Sequence, residues 1–168
     1  MSGPFARSNL KDALDLIQVN IAALTELTRR FLPGMLARDR GRIMNVASTA
    51  AFQPGPNMAV YYASKAYVLH FTEAVSEELR RTDVTLTALC PGPTRTRFAE
   101  VANLQNTRMA KSPLMMDSMD VARYGYDAMM RGTRIAIPGV FNRLVALGYH
   151  FAPRRVVTTM SRLTQENR

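Results

Sequence analysis

The sequence predicts an α/β fold with a parallel sheet joined by right-handed crossovers. Three observations carry that expectation. Segments of helical apolar spacing alternate with short runs rich in β-branched residues, in the order helix, strand, helix, strand, helix, strand. Glycine and proline clusters punctuate the boundaries, as in "QPGPN" and "PGP". The 168 residues, 47% apolar and 21% charged, suit one domain spanning 1–168, which at this length buries roughly 68 to 70% of the surface its unfolded chain exposes.

Ser8 or Asn9 caps a first helix, whose Leu10, Ala13, Leu14, Ile17, Ile21, Leu24 and Leu27 follow helical spacing to about Phe31. Pro33 and Gly34 are expected to kink or break it, with "MLARDR" adding about another turn before Gly41. "RIMNVAS", 42–48, reads as a buried strand and "QPGPN", 53–57, as a loop. A second long helix is expected over 58–81, with Tyr62, Ala66, Leu69, Ala74 and Leu79 among its apolar or small positions. "VTLTALC", 84–90, is a strand stopped by "PGP". A loop with short helical pieces follows. Ser118 is then the expected cap of a helix through about Met130, "TRIAIP" at 133–138 is a third strand, and helices fill the remainder.

Several function classes are disfavoured by composition. Cys90 is the single cysteine, so no internal disulfide forms and a reducing, cytoplasmic setting is the expectation. No apolar run reaches the ~18 residues of a membrane span. His70 and His150 lack neighbours at metal-ligand spacing, so no metal is expected. The net charge of +9 is concentrated in Val121–Arg168, where eight arginines face Asp127 and Glu166 and contribute +6. With that distribution nucleic acid is not the expected partner. An anionic surface met by a basic tail at 138–168 is one reading, and a solvated face on C-terminal helices is the commoner one.

The chemistry centres on "AVYYASK", 59–65. A free tyrosine has a pKa of about 10 and transfers protons poorly near pH 7 unless a positive charge lies close. Tyr61 and Lys65, four apart on a helix, share a face, and Tyr62 at three from Lys65 also satisfies the spacing. Ser48 follows one strand and "PGPTRT" follows the next, so both are placed at the carboxyl edge of the sheet, where open α/β folds carry their sites. No G-x-G occurs, since no two of the nine glycines lie closer than seven positions.

These residues resemble the short-chain dehydrogenases/reductases. The match rests on "NVAS" with Ser48 thirteen residues before Tyr61, on Y-x-A-S-K at 61–65, on "PG" with Thr94 and Thr96 after the next strand, and on "LIQVN" at 16–20. The resemblance implies a Rossmann-like three-layer sandwich, N-terminally truncated, because the chain is similar to the C-terminal two thirds of the family and lacks its glycine-rich loop. It also implies NAD or NADP as cofactor and an oxidoreductase acting on a small carbonyl or alcohol substrate. By the same resemblance Tyr61 is the general acid or base, and Lys65 holds the nicotinamide ribose and lowers the phenol pKa. Ser48 bonds the substrate oxygen, Asn20 steadies a water relay to the lysine, and Pro91, Gly92, Thr94 and Thr96 contact the nicotinamide end. Homo-oligomers through helices 10–39 and 58–81 are a further implication.

Plainer readings stand beside these. Asn20 is also consistent with a core-edge amide, and Thr94 and Thr96 with loop residues that satisfy backbone groups. Cys90 reads as core, and Glu73, Glu77 and Glu78 as a solvated, salt-bridging face. Met115 and Met116 suit either an apolar substrate or core filling. Three functional hypotheses follow: an oxidoreductase site completed by a cofactor cradle outside these residues, a truncated non-catalytic relic or dimerisation module, and a membrane-peripheral, lipid-type reductase.

Overall fold

In a computed structural model, residues 3–96 and 115–165 are described. Asn9 caps helix α1 (Leu10–Ile17), its side-chain oxygen accepting from Lys11 N at 2.8 Å and Asp12 N at 3.4 Å. The helix passes through a π segment (Gln18–Ala23) into α2 (Leu24–Ala37). Of the kink or break expected at Pro33, the break does not occur, and the helix runs through it. The ring sits on an exposed position, where water can take up the backbone carbonyl that a proline leaves unpaired. The helix stops instead at Ala37, followed by Asp39 in the left-handed region at φ 45°. Asp39 accepts from Asp83 N, which fixes the return into the sheet. A side chain at Gly41 would overlap Met35, so the first strand starts on a residue that lets helix and sheet approach.

The three strands are β1 (Gly41–Val46), β2 (Val84–Leu89) and the two-residue β3 (Ile135–Ala136). They lie parallel in the order β1-β2-β3, with Gly41 to Val46 opposite Val84 to Leu89 and Ala88 and Leu89 opposite Ile135 and Ala136. Between them run helix α3 (Ala59–Glu78) and helix α4 (Ser118–Met130), followed by α5 (Val140–Phe151) and α6 (Arg154–Gln165). The cap of α4 is Asp117, accepting from Met119 N at 2.8 Å, and Ser118 is the first helical residue. A carboxylate one position earlier serves the same orphan amides and suits the positive end of the helix better than a hydroxyl.

β2 is buried on both sides, which makes the arrangement three-layered. On one face Ala88 and Cys90 pack with Val68 and Leu69 of α3, and Val84 and Leu86 pack with Leu79. On the other, Leu89 packs with Val121 and Ala128 of α4 and with Ala136. β1 is less buried than its apolar sequence suggests. It is an edge strand among the described residues, Val46 is 48% exposed, and its one fully buried residue is polar. That residue, Asn45, donates to Thr72 Oγ1 at 2.9 Å, and Thr72 donates to the Val68 carbonyl at 2.7 Å. The pair fastens the strand to α3 with its buried polar atoms matched.

Candidate functional site

The site forms where β1 and β2 end. Ala47 N donates to the Leu89 carbonyl at 2.7 Å and Thr49 N to the Pro91 carbonyl at 2.9 Å, so the two exits stay side by side beyond the strands. Ser48 lies between them in extended conformation and caps a short 3-10 turn (Thr49–Phe52), its Oγ accepting from Ala50 N at 3.1 Å. The Ser48 hydroxyl also approaches the Pro91 carbonyl at 3.4 Å.

The first two turns of α3 bring Tyr61 and Lys65 to this edge. Tyr61 is half-buried and its phenol hydrogen-bonds the Ser48 side chain. The neighbouring ring has a different environment. Tyr62 is 6% exposed, packs with Ala50 and Met58, and lies so close under Gly55 that a Cβ there would overlap it. Its ring meets that of Tyr61 edge-on, with centroids 5.9 Å apart. Of the two rings that helical spacing allows, Tyr62 is thus in the core and Tyr61 faces Ser48.

Lys65 departs from expectation. Its Nζ donates to the Val46 carbonyl at 2.8 Å and stands 5.9 Å from the Tyr61 ring centroid. The ammonium therefore satisfies an edge carbonyl of β1. Burial raises the Tyr61 pKa above its ordinary value, with the Ser48 hydrogen bond working against that rise. The shift is thus upward, the reverse of the lowering expected from the lysine. Burial likewise lowers the Lys65 pKa, and the nearby Cys90 opposes that shift. Cys90 is fully buried and its thiol is pushed up to about 12, mainly by burial, which makes it core rather than a nucleophile.

Asn20 lies within the π segment, an irregularity often found at functional sites. Its Nδ2 donates to Ser64 Oγ at 3.0 Å, and Ser64 donates in turn to the Tyr61 carbonyl at 2.7 Å. Ser64 is 1% exposed, so this chain ties the first long helix to the turn of α3 that carries Tyr61. No direct bond from Asn20 to Lys65 is seen among the described residues.

Pro91, Gly92 and Thr94 leave β2 at the same edge. Thr94 Oγ1 donates to the Gly92 carbonyl at 2.9 Å, and Thr94 bridges to Met116, where Arg95 N donates to the Met116 carbonyl at 2.9 Å and Met116 N to Pro93 at 3.0 Å. Thr96 is exposed. Met116 packs against Leu89 and Val121, so it fills the core. The expected loop and helical pieces after Thr96 lie largely at 97–114, outside the described residues.

Sequence reading missed Asn142 at the start of α5. It is 8% exposed and donates to the Pro138 carbonyl at 2.8 Å, and its amide occupies the space that a Gly92 side chain would fill. Gly139, at φ 85°, makes the turn that places it. The signal was present as P-G-x-x-N at 138–142, a turn followed by an amide in the first helical turn. An apolar cavity of about 850 Å³ lies behind the edge, between α3, α5 and α6, lined by Phe52, Gln53, Tyr62, Leu69, Ile137 and Tyr149 among others. Tyr61 is not among its lining residues.

Comparison with known proteins agrees with the fold and identifies the family. The family model described as short chain dehydrogenase matches residues 1–107. A putative ketoacyl reductase of a monensin polyketide synthase from Streptomyces virginiae is 34% identical over 98% of this chain and 57% of its own length. A putative ketoacyl reductase from Streptomyces coelicolor is 41% identical over 58% of this chain and 39% of its own. Among solved structures, a short-chain dehydrogenase from Sphingobium yanoikuyae in complex with NADPH superposes with a TM-score of 0.76 at 26% identity, covering 90% of this chain and 59% of that one. The chain thus spans well under two thirds of the length of these relatives.

Proposed function

The chain belongs to the short-chain dehydrogenase family, and on that premise we propose that it carries the proton-transfer half of a nicotinamide-dependent oxidoreductase site. The reaction is carbonyl reduction or, in reverse, alcohol oxidation. One observation carries this reading: the Tyr61 phenol is hydrogen-bonded to Ser48 at the sheet edge beside Lys65, while Tyr62 is committed to the core.

Each residue then has a chemical task. Tyr61 gives its proton to the carbonyl oxygen as the alcohol forms, and takes one in the reverse direction. Ser48 donates a hydrogen bond to that oxygen as negative charge develops on it. Lys65 would hold ribose hydroxyls, and moving its ammonium from the Val46 carbonyl toward the phenol would bring the Tyr61 pKa down. Asn20 positions the helical turn through Ser64. The nicotinamide ring, when bound, supplies or accepts the hydride. The donor set of Tyr61, Lys65 and Ser48 fits the ribose and nicotinamide end of such a cofactor. A diphosphate needs a glycine-rich turn at a helix N-terminus, and the 168 residues contain no G-x-G to make one.

The relatives' names support a ketoacyl carbonyl as the substrate class, and the NADPH-bound relative supports NADPH as the cofactor to test first. Self-association through the first helices fits their surface. Leu10, Leu14 and Ile17 share a face and stand 67%, 54% and 38% exposed, with Leu27 and Phe31 exposed further along. The test is consumption of NADPH or NADH by the gene-encoded polypeptide that contains residues 1–168, offered a ketoacyl thioester and, separately, a steroid ketone. Turnover of the thioester with NADPH supports the reading, and no carbonyl reduction with either cofactor overturns it.

A further inference from the structure

The helical pair α5 and α6 leaves a large apolar surface in water. Val140, Phe141, Leu144, Leu147 and Phe151 are 74%, 54%, 62%, 58% and 82% exposed. Their spacing of one, four, seven and eleven positions puts them within one side of α5, opposite the buried Asn142 and Ala146. α6 repeats the pattern. Val157 and Ser161 are buried against the protein, while Val156, Met160 and Leu163 form an exposed stripe. Eight large apolar side chains thus stand out from two short helices, more than scattered surface residues account for.

Charge decides what covers them. From Val140 to Gln165 there are four arginines, Arg143, Arg154, Arg155 and Arg162, and no aspartate or glutamate. Arg143 is engaged with the Tyr124 hydroxyl and the Ile137 carbonyl. Arg154 and Arg155 are exposed at the α5–α6 junction, beside Phe151. α1 and α2 are different. There the exposed leucines are interspersed with both signs of charge, including the pairs Lys11–Asp15 and Arg30–Glu26. A second copy docked on α5 and α6 across a two-fold axis would set arginine against arginine with no carboxylate in the segment to offset them. An anionic lipid headgroup layer offers the opposite charge around an apolar interior, which matches both features.

We infer that α5 and α6 lie flat on an anionic phospholipid surface, with Phe141, Leu144 and Phe151 entering the acyl boundary and Arg154 and Arg155 meeting the headgroups. This inference does not depend on the reductase reading. No described helix is long and apolar enough to cross a membrane, so the contact is an interfacial one.

The experiment is co-sedimentation of the 168-residue chain with phosphatidylcholine vesicles, with and without phosphatidylglycerol. The chain is expected to pellet with the anionic vesicles and to be released by salt. Phe141→Glu with Leu144→Glu should abolish pelleting while leaving the circular dichroism spectrum and melting temperature unchanged, because both side chains are already in water. Arg154→Gln with Arg155→Gln provides a second, milder variant, expected to weaken partitioning by about fivefold for each arginine. Three results overturn the inference: the chain remains in the supernatant with anionic vesicles, the two glutamate substitutions leave pelleting intact, or a dimer forms in solution that those substitutions dissociate.

Discussion

Asn20→Ala removes the amide that donates to Ser64 Oγ at 3.0 Å. Ser64 keeps its own donation to the Tyr61 carbonyl, but its oxygen loses a donor at a position 1% exposed to solvent. A buried polar atom left in this state costs about 1 to 3 kcal/mol. For a chain of this length each kcal/mol lowers the melting temperature by about 2 to 4 °C. The expected result is therefore a fall of several degrees, read by differential scanning calorimetry and by the urea midpoint at unchanged m-value. Ser64→Ala supplies the control. If the two residues form one chain, the double variant loses less than the two single losses combined, with a coupling of at least 0.5 kcal/mol. Losses that add within error would refute the claim that Asn20 acts through Ser64.

Alkaline stability tests the buried thiol. Cys90 ionises near 9 when unfolded and only at about 12 when folded, so its contribution is complete below pH 9 and is lost as pH rises through that window, up to about 4 kcal/mol. Tyr61 acts in the same direction, and Lys65, whose folded pKa is lowered, opposes it. Urea midpoints should thus fall more steeply above about pH 9 for the parent chain than for Cys90→Ala, and equal slopes would contradict the assignment. Gly55→Ala drives a methyl group into the Tyr62 ring and should destabilise the fold by about 1 to 3 kcal/mol. A neutral effect would mean that the ring is not seated there. Residues 1–168 alone should bind NADH and NADPH no better than weakly, because they contain no G-x-G cradle for the diphosphate. Micromolar affinity by calorimetric titration would reject that view.

Periodicity made the element order, the parallel sheet and the convergence of Ser48, Tyr61 and Lys65 readable from sequence, because buried faces impose their spacing directly on the residues. What escaped it depended on packing that spacing along a single element does not encode. Whether Tyr61 or Tyr62 faces the site is decided by the turn at Gly55, which seats one ring in the core. Lys65 turned to the Val46 carbonyl because β1 presents an edge among the described residues, a property of strand order that spacing along α3 does not encode. The same strand order left β1 half-exposed where its apolar sequence suggested full burial. Pro33 was tolerated because its side of the helix faces solvent, and Asn142 was overlooked because its partners are the turn at Pro138 and the space above Gly92.

The central claim is that the Tyr61 phenol, not its neighbour, moves the proton. In the gene-encoded polypeptide containing residues 1–168, kcat for NADPH-dependent ketone reduction should fall by about 10² to 10⁴-fold in Tyr61→Phe. Tyr62→Phe, which changes a core ring, should retain turnover at a somewhat lower melting temperature. Activity kept by Tyr61→Phe and lost by Tyr62→Phe would contradict the account.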